Sequence, residues 1–110
     1  MSTNEKFGKN STWVILPSPI QGVGVFARRW IYPGEMIGVG ITYTFGFVPQ
    51  ITYFGSKLNH SYAPNALLRY DENTKTWNIY AAIDIPPGQE IIMDYRDTPP
   101  FIAGPEPHYV

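Results

Sequence analysis

The sequence predicts a mainly β domain made of several short sheets. Three observations carry that expectation. Eleven Pro and ten Gly cut the 110 residues into short pieces, leaving few windows wide enough for three helical turns. Runs rich in β-branched and aromatic residues recur between those breaks. Two of them, 66–70 and 76–83, flank the polar turn 71–75 and read as a β-hairpin. A chain of this length bounds one domain.

Taken in order, Thr12 to Leu16 is a β-rich run ended by Pro17 and Pro19. Val23 to Trp30 follows, then the turn Tyr32-Pro33-Gly34-Glu35. Met36 to Phe47 is apolar, β-branched and aromatic, with Gly38, Gly40 and Gly46 marking bends or close backbone approach. Val48 to Ser56 is the one stretch that admits a short helix or 3₁₀ turn. Pro86-Pro87-Gly88 is a further turn, and Glu90 to Tyr95 a further strand. Segment 1–11 is expected to be a flexible lead-in, and the Pro-rich end 102–110 an irregular tail. Ile31 to Ile37 echoes Ile85 to Ile92: an apolar residue, a Pro-Gly turn, an acid, a new strand. Convergent turn chemistry and a pseudo-symmetric pair of hairpins both account for the echo.

Composition narrows the function. Net charge is −1 and the eight basic residues are scattered, so the basic stripe of a nucleic-acid binder is missing. A small β-barrel that stacks single-stranded nucleic acid on aromatics is disfavoured for the same reason. The chain has no Cys, which excludes disulfides and thiolate zinc sites; no metal is expected. No apolar run approaches the ~18 residues of a membrane span, and the start lacks an apolar signal core. The expectation is a soluble intracellular protein without membrane or nucleic-acid partners. Eight Tyr, six Phe and three Trp suit an aromatic-lined pocket, although aromatics also dominate ordinary cores.

Four motifs are candidates for chemistry. Gly22-Val23-Gly24-Val25-Phe26-Ala27 formally fits a dinucleotide fingerprint, but Pro33-Gly34 arrives too soon for the crossover helix, and the region around Thr44 lacks the acid that motif needs. Asn59-His60-Ser61-Tyr62-Ala63-Pro64-Asn65 alone reads first as an Asx- or Ser-stabilised turn. A Ser61–His60 nucleophilic pair is disfavoured by their adjacency. A His60 metal site is disfavoured because the other histidine, His108, lies in the tail. Asp94-Tyr95 fits a buried tyrosine with a satisfied hydroxyl, and Glu90 a surface acid.

Together, and in this order, the glycine run at 22–27, Pro-Gly-Glu at 33–35, the Asn-His motif at 59–65 and Gly88-Gln89-Glu90-Ile91-Ile92-Met93-Asp94-Tyr95 resemble the SET-domain protein-lysine methyltransferases. The resemblance spans residues 12–101 and is nearest to the minimal stand-alone SET proteins of viruses, which lack zinc-binding flanks. It implies a β-clip-like fold of several small sheets with a C-terminal pseudoknot. The implied activity is S-adenosylmethionine-dependent transfer of a methyl group to a lysine side chain of a protein or peptide. The implied cofactor-binding residues are Gly22, Val23, Gly24, Asn59, His60 and the tail aromatic Phe101 (Tyr109 being the second candidate). Tyr95 is the implied catalytic residue at the end of a lysine channel, with Tyr43 and Tyr53 as further channel tyrosines. A homodimer is implied too, in the cytoplasm or nucleus of a host cell if the protein is viral. The chain departs from the family pattern at Ser56 and Lys57, where Arg-Phe is common. It departs again at Tyr62 in place of Cys, at Gly40 in place of a channel tyrosine, and in a short insert before Asn59. The shortened insert keeps open an alternative: a catalytically inactive SET-like or β-clip module that binds a peptide or protein partner.

Overall fold

The computed structural model describes residues 12–97. The lead-in 1–11, the tail 102–110, and with them Phe101, His108 and Tyr109 lie outside the described residues. The elements follow in the order β1 (Trp13–Pro17), β2 (Val23–Ala27), β3 (Met36–Thr44), β4 (Val48–Ile51), α1 (Tyr53–Lys57), β5 (Asn59–His60), β6 (Ala66–Asp71), β7 (Thr76–Ala81) and β8 (Glu90–Met93), with a 3₁₀ turn at Tyr95–Asp97. They form two four-stranded sheets, β1-β2-β8-β5 and β4-β3-β7-β6. The class is mainly β in small sheets, as the sequence predicts. Among the described residues no helix is long and apolar enough to cross a membrane.

The hairpin expected at 66–83 is β6 and β7, paired in register from Ala66 with Ala81 to Asp71 with Thr76. Its turn is held by Asp71 Oδ1, which accepts the Asn73 amide at 2.8 Å, and by Lys75 at φ 58°. The stretch 48–56 divides into two elements. Val48–Ile51 is a strand despite Pro49, because β4 lies at the edge of its sheet and pairs only with β3, where a missing N–H is tolerated. The helix begins only at Tyr53, with Thr52 as its cap: Thr52 Oγ1 accepts the Gly55 amide at 2.9 Å and donates to Val39 O at 2.6 Å. This short helix sits backbone to backbone on β3, so that a Cβ on Gly55 would meet Gly40 O at 2.6 Å. A Cβ on Gly40 would instead face Ile79 and Leu68 in the core.

The echo between the two Pro-Gly turns is a pseudo-two-fold relation. Ile31 and Ile85 exchange both backbone hydrogen bonds at 2.9 Å. Gly34 N–H donates to Ala81 O at 2.8 Å and Ala81 N–H to Glu35 O at 2.9 Å. Gly88 N–H donates to Ala27 O at 2.8 Å and Ala27 N–H to Gln89 O at 2.9 Å. The partners stand at one constant spacing along the chain, so β1, β2 and β8 in one sheet correspond to β6, β7 and β3 in the other. Val25, Ile31, Ile37, Leu58, Ile79, Ile85 and Ile91 are fully buried and fill the space between the sheets. Each contributes roughly 1.5–3 kcal/mol by leaving water.

Gly34 and Gly88 share φ +86°, and a Cβ at either would stand in open space. Alanine there is therefore opposed by backbone conformation alone. Gly34→Ala and Gly88→Ala are each expected to lower stability by about 1–2 kcal/mol, and by similar amounts, in urea denaturation. Two clearly unequal losses would contradict the symmetry of the turns.

Candidate functional site

The Asn-His motif is fastened to β8 at both ends. Asn59 and His60 pair in parallel with Ile92 and Met93, and Ser61 N–H donates to Met93 O at 3.0 Å. At the far end, buried Asn65 lies along β8 like a strand. Its Nδ2 donates to Glu90 O at 2.8 Å, its Oδ1 accepts the Ile92 amide at 2.9 Å, and its own amide donates to Ile92 O at 3.2 Å. This is why the sequence has an asparagine after Pro64: no apolar residue could satisfy those buried backbone groups.

The fastening opens a cleft of about 210 Å³ lined by Gln21, Gly22, Val23, Ser56, Lys57, Asn59 and Tyr95. Gln21 and Gly22 precede β2, Val23 opens it, Ser56 and Lys57 end α1, and Tyr95 follows β8. Of the residues the sequence singles out, Gly22, Val23, Asn59 and Tyr95 meet here. Gly24 and His60 are buried behind this lining. Tyr43 and Tyr53 are not in this lining: Tyr43 accepts the Trp77 indole N–H at 2.9 Å, and Tyr53 is exposed on α1 beside the cleft, with the Lys57 ammonium 5.3 Å from its ring centre. Lys57 forms no salt bridge among the described residues, which leaves a cation on the wall of the cleft.

Tyr95 is held at two points. Its hydroxyl donates to Leu58 O at 2.6 Å and its backbone N–H to His60 Nδ1 at 2.9 Å. The accepting Nδ1 places the ring proton of a neutral His60 on Nε2. The His60 ring lies 5.0 Å from the Tyr95 ring and meets Tyr62 edge-on at 4.3 Å. Next to it, Asp94 accepts from the Arg96 amide at 2.9 Å and from Arg96 Nε at 2.9 and 3.0 Å, with a further close contact from Nη2. The Arg96 guanidinium also covers the Tyr62 ring at 4.5 Å. Bonding to Arg96 holds the Asp94 carboxyl below its ordinary value, against burial, which pushes it up.

Glu90 is not a surface acid. It is half-buried and accepts from Ser18 Oγ at 2.8 and 2.9 Å and from Asn59 Nδ2 at 2.8 Å. Gly24 makes room for it, since a Cβ there would stand 2.1 Å from Glu90 Oε2. Sequence reasoning missed Gln21, Ser18 and this role of Glu90. The glutamate lay inside the Gly88–Tyr95 motif, but Ser18 offered no signal, because its partner is distant in sequence.

The family model described as SET domain matches residues 40–96, just over half of the chain. Among solved structures, a candidate histone methyltransferase of Plasmodium falciparum shares the fold, with a TM-score of 0.62 at 21% identity over 76% of this chain and 92% of that one. No curated protein sequence matches the chain.

The lowered Asp94 carboxyl fixes a sign. A group whose value is depressed by folding stabilises the protein fully above its unfolded value, near 3.8, and loses that contribution as pH falls through the folded value. Asp94→Asn is expected to lower the thermal midpoint at pH 7, with the gap to wild type closing as the pH is taken below about 4. A gap that stays constant into acid would contradict the Asp94–Arg96 pairing.

Proposed function

This chain belongs to the SET domain family, and from that premise we propose that it is an S-adenosylmethionine-dependent protein-lysine N-methyltransferase. The observation that carries the reading is the meeting of Asn59, Lys57, the main chain of residues 21–23 and Tyr95 in one cleft. The polar groups there suit the amino-acid end of the cofactor. The Asn59 amide nitrogen is taken up by protein acceptors, which leaves Oδ1 to accept from an ammonium group. Lys57 offers a cation to a carboxylate. Phe101, outside the described residues, is the proposed cover for the adenine. His60 acts from behind the cleft by holding the Tyr95 backbone.

The cofactor supplies a methyl group on a sulfonium, whose charge also disfavours a protonated lysine beside it. Free lysine has a pKa of ~10.4, so only about one in a few thousand is neutral at pH 7. The chain's task is to select and aim that neutral amine. The Tyr95 proton is committed to Leu58 O, so the phenol oxygen presents lone pairs, and can accept an N–H from the amine and set its direction. The help is orientation and fixed dipoles rather than proton transfer by the phenol. Tyr43 and Tyr53 do not line this cleft, and their proposed place in the substrate channel rests on the family resemblance.

Calorimetric titration with S-adenosylhomocysteine tests the cofactor site. Saturable binding that is lost in Asn59→Ala is expected; absence of binding at millimolar ligand would favour a SET-like module that binds a peptide or protein partner without catalysis. Tyr95→Phe is expected to keep cofactor binding and lose about 10²-fold or more in turnover, measured with labelled methyl groups on a protein substrate. Unchanged turnover would remove Tyr95 from the mechanism.

A further inference from the structure

We infer that Glu90 is a positioning residue that sets which end of the Asn59 amide faces the ligand, and so makes the cleft selective for a ligand bearing an α-ammonium group. The inference rests on the cofactor reading above. Asn59 Nδ2 lies 2.8 Å from Glu90 Oε2, 3.0 Å from Val23 O and 3.3 Å from Gln21 O. Turning the amide over would set Oδ1 against three acceptors, so one orientation is imposed. The carboxylate is the strongest of the three acceptors, because a charged partner makes the better hydrogen bond. With Nδ2 occupied, Oδ1 is the atom that Asn59 can offer, and it accepts no hydrogen bond among the described residues. An acceptor rewards a ligand that brings a donor, and is left unpaired by one that does not.

Glu90 is itself fixed. Its carboxylate accepts from Ser18 Oγ, and Ser18 in turn folds loop 18–22, accepting the Ile20 amide at 3.0 Å and donating its own amide to Gly22 O at 2.9 Å. Gly24 provides the space. One carboxylate thus helps to orient the amide and anchors the loop whose end, Gln21 and Gly22, lines the cleft.

The test is a ratio of affinities: S-adenosylhomocysteine against the same thioether with hydrogen in place of the α-amino group. In wild type the amine-bearing ligand is expected to bind roughly tenfold or more tightly, the worth of one hydrogen bond to a charged group. Glu90→Met keeps the length of the side chain but removes the strongest acceptor; the Val23 and Gln21 carbonyls still face Nδ2, so the ratio is expected to fall measurably without reaching one, while the amine-free ligand binds about as before. Glu90→Gln is expected to keep the ratio, since its amide oxygen can accept from Asn59 while its NH₂ donates to Ser18 Oγ. A collapsed ratio in Glu90→Gln overturns the inference, because the selectivity would then come from the charge of Glu90 and not from the orientation of Asn59. Glu90→Ala, which also removes the acceptor, makes the same comparison if Glu90→Met does not fold. Equal weakening of both ligands in Glu90→Met, or a wild-type ratio near one, also overturns it while leaving the cofactor site standing. Failure of wild type to bind S-adenosylhomocysteine at all removes the cofactor reading, and the inference with it.

Discussion

The parallel pairing of Asn59 and His60 with Ile92 and Met93 is the constraint on which the rest of the site depends. A two-residue parallel ladder is weak by itself, with slanted bonds and little length over which to sum them. It persists because both flanks are tied to the same strand: Ser61 through its backbone, and Asn65 through backbone and side chain together. The loop between carries Tyr62, whose ring lies against His60 and under Arg96. A motif that reads as a turn is therefore a clamp, and its rigidity comes from buried backbone groups that would otherwise lack partners.

The pseudo-two-fold explains where that clamp can be placed. Each half of the molecule is a three-stranded unit closed by a Pro-Gly turn, and each leaves one strand with a free edge. In one half β3 covers its edge by folding back into the antiparallel hairpin with β4. In the other, β8 covers the equivalent edge with the parallel strand β5. Phe26 faces Glu90 as Tyr80 faces Met36, so Glu90 and Met36 occupy corresponding positions. Met36 is exposed, whereas Glu90 is tied to Ser18 and Asn59. The scaffold repeats, and the candidate site is the place where the repetition is broken.

What could be read from the sequence follows the range of the interactions. The 66–83 hairpin and both Pro-Gly turns rest on local chemistry, and local residue types disclosed them. The strand at Val48–Ile51 was hidden by Pro49, because only the sheet order reveals that its missing N–H points away from a neighbour. Gly24 read as backbone freedom near a ligand, yet its tightest neighbour is the Glu90 carboxylate, a contact between segments far apart in the chain. Tyr43 and Tyr53 were proposed from residue type and register without a cleft to place them in. In the structure one is engaged with Trp77 and the other lies on the outside of α1. The motifs supplied Asn59 and Tyr95. Lys57, noticed only as a departure from a pattern, turned out to be the cation beside them.

Three consecutive residues, Leu58 to His60, fix the geometry of the proposed chemistry. The Leu58 carbonyl holds the Tyr95 hydroxyl, the Asn59 side chain faces the cleft, and the His60 ring holds the Tyr95 backbone. Tyr95 is thus gripped at both ends by the segment that carries the Asn59 amide. The distance between that amide and the phenol cannot change without breaking a 2.6 Å or a 2.9 Å hydrogen bond in a half-buried setting, where such bonds are strengthened by the lower dielectric. Methyl transfer to an amine needs two reacting partners held in line more than it needs a strong acid or base. Fastening the phenol to the stretch that carries the amide would keep the two in register for the proposed reaction.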